Sequence, residues 1–106
     1  MLNAADLKPD DIILEIGPGR GVLTKEIAPR VGRVITVEKD ERLADALATI
    51  LKEEGIINTE IIKGDILTTF SSLVSSHNLQ PHSYKLIANL PYYITGRLMH
   101  IMLSSD

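Results

Sequence analysis

The sequence predicts an α/β fold, a parallel sheet of about four strands with helices on both faces. Three observations predict it. Four short runs are rich in apolar and β-branched residues, segments with helical spacing alternate with them, and three of the runs break into glycine- or proline-containing turns. Strands nearly continuous in apolar residues belong to sheets buried on both sides, and strand–helix alternation belongs to parallel connections.

The first run, Asp11-Ile12-Ile13-Leu14-Glu15-Ile16, breaks at Gly17-Pro18-Gly19 and reads as a buried strand ending in a tight turn. From about Gly21, Leu23 and Ile27 stand four apart, which predicts a short helix that Pro29 and Gly32 end. Arg33-Val34-Ile35-Thr36-Val37-Glu38 is the second strand. Asp40 is a good N-cap for a helix whose apolar positions are Leu43, Leu47, Ile50 and Leu51, with Gly55 as its stop. Glu60-Ile61-Ile62-Lys63 is the third strand, halted by Gly64-Asp65. Phe70, Leu73 and Val74 predict a weak helix dissolving into Ser75-Ser76-His77-Asn78, and the serine-rich stretch 71–76 reads as a surface loop rather than a linker. Tyr84 to Leu90 is the fourth strand. Thr95 caps a last helix with Leu98, Ile101 and Met102 inward, and Ile94 and Met99 fit a hydrophobic staple.

The 106 residues fit one modest domain, and 44% hydrophobic with 24% charged residues is a folded rather than a disordered composition. No apolar run approaches the roughly 20 residues of a membrane span, and the first residues lack the pattern of a signal peptide. The absence of cysteine excludes disulfides and thiolate metal sites and fits a reducing cytoplasm. A net charge of −3 argues against this stretch alone gripping nucleic acid strongly, because phosphate neutralisation needs concentrated Lys and Arg. His77, His82 and His100 share no metal-ligand spacing, so no metal is expected.

In open α/β sheets ligands bind beyond the carboxyl ends of the strands, and four unusual features fall there. The glycine turn 17–21 permits close backbone approach of a ligand, but its G-x-G-x-G spacing departs from the G-x-G-x-x-G of dinucleotide binders. Glu15, near the end of the first strand, can attract a ligand ammonium or structure the turn. Glu38, beside Lys39, lies about 20 residues past the first glycine, where an acid accepts bonds from a ribose diol. Asp65 suits an exocyclic amine, or else a turn or helix cap. Asn89-Leu90-Pro91-Tyr92 presents carbonyl acceptors on a stiffened backbone beside a pair of tyrosines, Tyr92 and Tyr93, that can stack on an unpaired base.

With "LEIGPGRGVLT", "VEKD", "GDIL" and "ANLPYYIT" in this order, the sequence resembles the ribosomal RNA adenine N6,N6-dimethyltransferases, the small-subunit branch in particular, from about Leu7 to Leu103. The resemblance implies a Rossmann-like class I methyltransferase fold that is partial here, with S-adenosyl-L-methionine as cofactor and ribosomal RNA as partner. It places Gly17, Gly19 and Gly21 under the cofactor, Glu38 at its ribose, Asp65 with Ile66 at its adenine, and Lys39 among the cofactor-binding residues. Asn89, Leu90, Pro91 and Tyr92 would form the catalytic element, with Asn89 also close to the cofactor. Family members carry a short N-terminal segment, further strands and a C-terminal helical domain that helps engage RNA. Residues 1–106 are therefore expected to be an incomplete methyltransferase domain that need not turn over alone. Its fourth strand, left as a sheet edge, could pair with a second copy. Two alternatives stand beside this reading: a non-catalytic RNA-binding or assembly protein on the same scaffold, and a nicotinamide-dependent oxidoreductase, which the glycine spacing and "NLPY" oppose.

Overall fold

Parallel strands need long crossovers, and each of the first three apolar runs is followed by a helix that can make one. In the computed structural model, which describes residues 7–19, 21–80 and 84–88, the elements are β1 (Ile12–Ile16), α1 (Val22–Ile27) with a 3-10 turn (Ala28–Arg30), β2 (Arg33–Glu38), α2 (Glu41–Glu53), β3 (Thr59–Lys63), α3 (Ile66–Ser76) and β4 (Lys85–Ala88). The strands form one parallel sheet in the order β3-β2-β1-β4. Ile16 pairs with Val37 on one side and Ala88 on the other.

Alternation along the strands divides the core between two faces. Leu14, Ile16, Ile35 and Val37 pack with Ile66, Phe70 and Leu73 of α3. Ile13, Val34 and Ile87 pack with Ile27, Ala28 and Val31. The central strands are buried on both sides as expected, whereas β3, at the edge, is only half covered. At the base of the sheet Lys85 Nζ donates to Asp11 Oδ2 at 2.8 Å, tying the start of β4 to the start of β1. That bond holds the Asp11 carboxyl below its ordinary range.

Both longer helices are closed by the devices their sequences advertise. Asp40 caps α2 by accepting from the Arg42 and Leu43 backbone N–H groups, and Asp65 caps α3 by accepting from Leu67. At the other end of α2, Ile56 N bonds Leu51 O and Gly55 N bonds Lys52 O, a Schellman closure with Gly55 left-handed. Asn78 plays the same part after α3, where Leu79 N reaches Val74 O.

The structure corrects three expectations. Residues 71–76 belong to α3 and are not a loop. The serine hydroxyls turn back on the helix, Ser72 to Thr69 O and Ser76 to Leu73 O, while the Ile66, Phe70 and Leu73 stripe supplies the burial. The inner face of α2 is Ala44, Leu47 and Leu51, and Leu43 is exposed, because three- and four-residue steps counted back from Leu51 reach Ala44. Tyr84 precedes the fourth strand rather than opening it, though it is buried. The predicted last helix, with Ile94, Thr95, Leu98, Met99, Ile101 and Met102, lies outside the described residues, as do His82 and His100.

Candidate functional site

After β1 the chain moves outward to β2 and β3, then returns to place β4 on the other side of β1. The strand order therefore reverses at β1, and the carboxyl ends of β1 and β4 flank the crevice where such sheets bind ligands. Gly17 leaves β1 at this point. Ala88, the last described residue of β4, sits one register step away, beside Ile16. Asn89, Leu90, Pro91, Tyr92 and Tyr93 lie outside the described residues.

The turn after β1 is left-handed at Gly17 (φ 69°), Gly19 (φ 59°) and Gly21 (φ 81°). Its ends are fixed by Gly17 N to Val37 O at 3.0 Å and Gly21 N to Pro18 O at 2.9 Å. The last two glycines serve different purposes. A Cβ on Gly19 would meet nothing within 4 Å, so its backbone faces open space that a ligand can enter. A Cβ on Gly21 would run into Leu47 of α2, so the third glycine brings two helices together.

Glu38, at the end of β2, is 7% exposed and is no solvated surface acid. Its Oε1 accepts from Gly19 N at 3.2 Å and its Oε2 from Asp40 N at 2.9 Å. The carboxylate thus clasps the glycine turn to the start of α2. Each oxygen has a second lone pair, which leaves capacity for two hydroxyl donors. Lys39 beside it is exposed, and its Nζ stands 3.8 Å from Asp65 Oδ2. Asp65 Oδ1 is the oxygen that caps α3, so the helix-cap role is filled while Oδ2 faces outward to the lysine. Ile66 turns its side chain into the core, which leaves only its backbone for a ligand.

Glu15 is wholly buried and accepts from the Thr24 hydroxyl. Of the two roles open to it, this geometry performs the structuring one. Burial pushes its carboxyl above the ordinary glutamate value of 4.5, against the opposing pull of the Thr24 and Thr36 hydroxyls. A raised acid keeps its proton in the folded state at a pH where the unfolded chain has lost it, so this group favours folding most at low pH. Its contribution declines as pH rises from the unfolded value through the raised one. Glu15→Gln, which cannot ionise, is expected to remove that decline. Denaturation midpoints of both proteins from about pH 4 to about pH 8 should diverge with rising pH in favour of the variant; parallel curves would contradict a titrating Glu15.

Sequence reasoning missed Thr24 and Thr36. The available signal was a polar β-branched residue in each of two otherwise apolar patterns. It also left His77 unassigned: this residue ends α3, and its Nε2 lies 3.0 Å from Glu60 Oε2. Among the described residues no group of three or more His, Cys, Asp or Glu could hold a metal ion, and no helix is long and apolar enough to cross a membrane.

The family model described as "Ribosomal RNA adenine dimethylase" matches residues 1–106. A protein of Dehalococcoides mccartyi, "Ribosomal RNA small subunit methyltransferase A", is 47% identical over 99% of this chain and 34% of its own length. The crystal structure of a dimethyladenosine transferase from Plasmodium falciparum superposes with a TM-score of 0.76 at 34% identity, covering 95% of this chain and 34% of that one. The crystal structure of the 23S rRNA methyltransferase ErmE gives a TM-score of 0.75 at 34% identity, over 96% of this chain and 38% of that one. The chain spans about a third of the length of the relatives it matches.

Proposed function

The chain belongs to the ribosomal RNA adenine dimethylase family, and from that premise we propose that it is the cofactor-binding part of an enzyme that methylates N6 of unpaired adenines in ribosomal RNA with S-adenosyl-L-methionine. The names of its relatives favour the small-subunit RNA as the substrate, and we place the enzyme in the cytoplasm, which the absence of cysteine fits. One observation carries the reading: a buried carboxylate at the end of β2 closes on an open, left-handed Gly19 at the reversal point of the sheet.

The residues fit the cofactor. Gly19 offers a backbone that a ligand can approach, Glu38 retains acceptor capacity for a ribose diol, and Asp65 Oδ2 is free of the helix cap and suits an adenine amine. Lys39, paired across to Asp65, would have to yield that oxygen, while the Ile66 backbone lies at the same helix start. When bound, S-adenosylmethionine supplies an electrophilic sulfonium methyl.

An adenine amine is a weak nucleophile because its lone pair is delocalised into the ring. Asn89 and the Leu90 carbonyl are assigned to accept from the N6 hydrogens, which favours the geometry that frees that lone pair. Pro91 stiffens the segment and Tyr92 supplies a stacking face. Most of the rate gain is then positional, on the order of 7 to 11 kcal/mol in the best cases. A base inside a duplex cannot reach such a site, so the target is unpaired or flipped.

The test is calorimetric titration with S-adenosylhomocysteine, with NAD as the control ligand. Binding of the first alone is expected. Binding of NAD instead would return the site to a nicotinamide-dependent oxidoreductase, and methylation assays on ribosomal RNA with the intact protein separate an enzyme from a scaffold that only binds.

A further inference from the structure

Glu15, Thr24 and Thr36 are all fully buried and come from three different elements. Glu15 and Thr36 are register partners in β1 and β2, and Thr24 lies in the first turn of α1. The Thr24 Oγ1 to Glu15 Oε1 bond spans nine positions of sequence and so encloses all three left-handed glycines. Glycine loses more conformational freedom on ordering than any other residue, so a turn built on three of them needs ties from outside itself. On the side of β2 the ties are Gly17 N to Val37 O and Gly19 N to Glu38. On the inner side α1 offers none of its own, because its cap residue is Gly21 and has no side-chain bond. The Glu15–Thr24 contact fills that gap.

A leucine at position 15 would occupy the space without the cost of burying a carboxyl, so the group is present for its bonding. Glu15 Oε2 and Thr36 Oγ1 have no formed hydrogen bond, although the Thr36 hydroxyl acts on the Glu15 carboxyl. The Thr36 hydroxyl, turned to donate to Oε2, satisfies both orphaned atoms at once.

We propose that Thr24 and Thr36 are positioning residues, which through the buried Glu15 carboxyl hold the glycine turn 17–21 in the left-handed form that receives the cofactor. The consequence for ligand affinity rests on the function proposed above; the consequence for the turn does not.

The test uses Thr24→Val, which keeps the shape and removes the hydroxyl, and Thr24→Ser, which restores the hydroxyl, in the intact protein. Amide hydrogen exchange is read without ligand, and S-adenosylhomocysteine affinity is read by calorimetry. Valine is expected to speed exchange at residues 17–21 by about tenfold, the scale of one lost buried hydrogen bond, while the central amides of β1 and β2 keep their protection. Affinity should fall in proportion, and serine should recover both. Exchange unchanged at the turn, or raised equally throughout the sheet, would overturn the proposal. If the valine protein does not fold, Thr36→Val provides the second reading, with faster exchange at the turn expected and unchanged exchange overturning the idea. Should the unaltered protein ignore S-adenosylhomocysteine while valine and serine still divide the turn's exchange, the cofactor reading fails and the positioning role stands.

Discussion

Glu38→Ala is expected to weaken S-adenosylhomocysteine binding by about a hundredfold and to cost the ligand-free fold about 2 kcal/mol, because a hydrogen bond to a charged group contributes roughly 1.5 to 3 kcal/mol. The two effects have separate origins. The stability loss comes from the bonds already made, with Gly19 N and Asp40 N losing their acceptor at once. The affinity loss comes from the remaining lone pairs, offered to a ribose diol, and from a turn no longer clasped against β2. Glu38→Gln separates them further: the amide keeps one acceptor and turns its NH₂ toward an N–H donor, so it should recover part of the stability and little of the affinity. Denaturant unfolding and calorimetry on the same preparations read both quantities. Full affinity in the alanine protein would remove Glu38 from the ligand site, while unchanged stability would remove the clasp.

That dual role was only half legible in the sequence. The position of Glu38 at the end of an apolar run and its distance from the first glycine are sequence facts, and they point to a ligand contact. Its burial is not, because it depends on a turn 19 positions earlier folding back over the carboxylate. The same limit hid the Thr24–Glu15 bond. Strands whose apolar residues run without a break, and a helix bracketed by Asp40 and Gly55, announce themselves locally, and β1, β2 and α2 fall within a residue or two of the expected bounds. Local composition misleads in α3, where the serines of 71–76 suggest a loop although Phe70 and Leu73 already mark a helix, and the Ser72 and Ser76 hydroxyls return to helix carbonyls. Asp65 stands between these cases. The cap uses Oδ1 alone, so the cap that is formed leaves Oδ2 to Lys39 and does not exclude the acceptor reading.

Gly21→Ala is expected to be the most destabilising single substitution at the turn, by about 2 to 5 kcal/mol. A left-handed backbone costs an L-residue roughly 1 to 2 kcal/mol, and overpacking typically adds about 1 to 3. Both apply here, since Gly21 has φ 81° and its missing Cβ points into Leu47, which is fully buried. Gly19→Ala suffers the backbone term alone, because the space beside it is open. The ordering should therefore invert between assays. Gly21→Ala should lose more in denaturant unfolding, whereas Gly19→Ala, at about 1 to 2 kcal/mol, should stay folded and lose ligand affinity, since the new methyl occupies space a ligand would enter. The Leu47 contact can be isolated by a double-mutant cycle. Leu47→Ala alone costs about 2 to 5 kcal/mol, but combined with Gly21→Ala it makes room for the added methyl, so the pair should cost less than the sum by about 1 kcal/mol or more. Strict additivity would mean that the third glycine is required for its backbone conformation alone and that the approach of α2 plays no part. A shortfall would establish that this glycine also sets the approach of α2 to the turn.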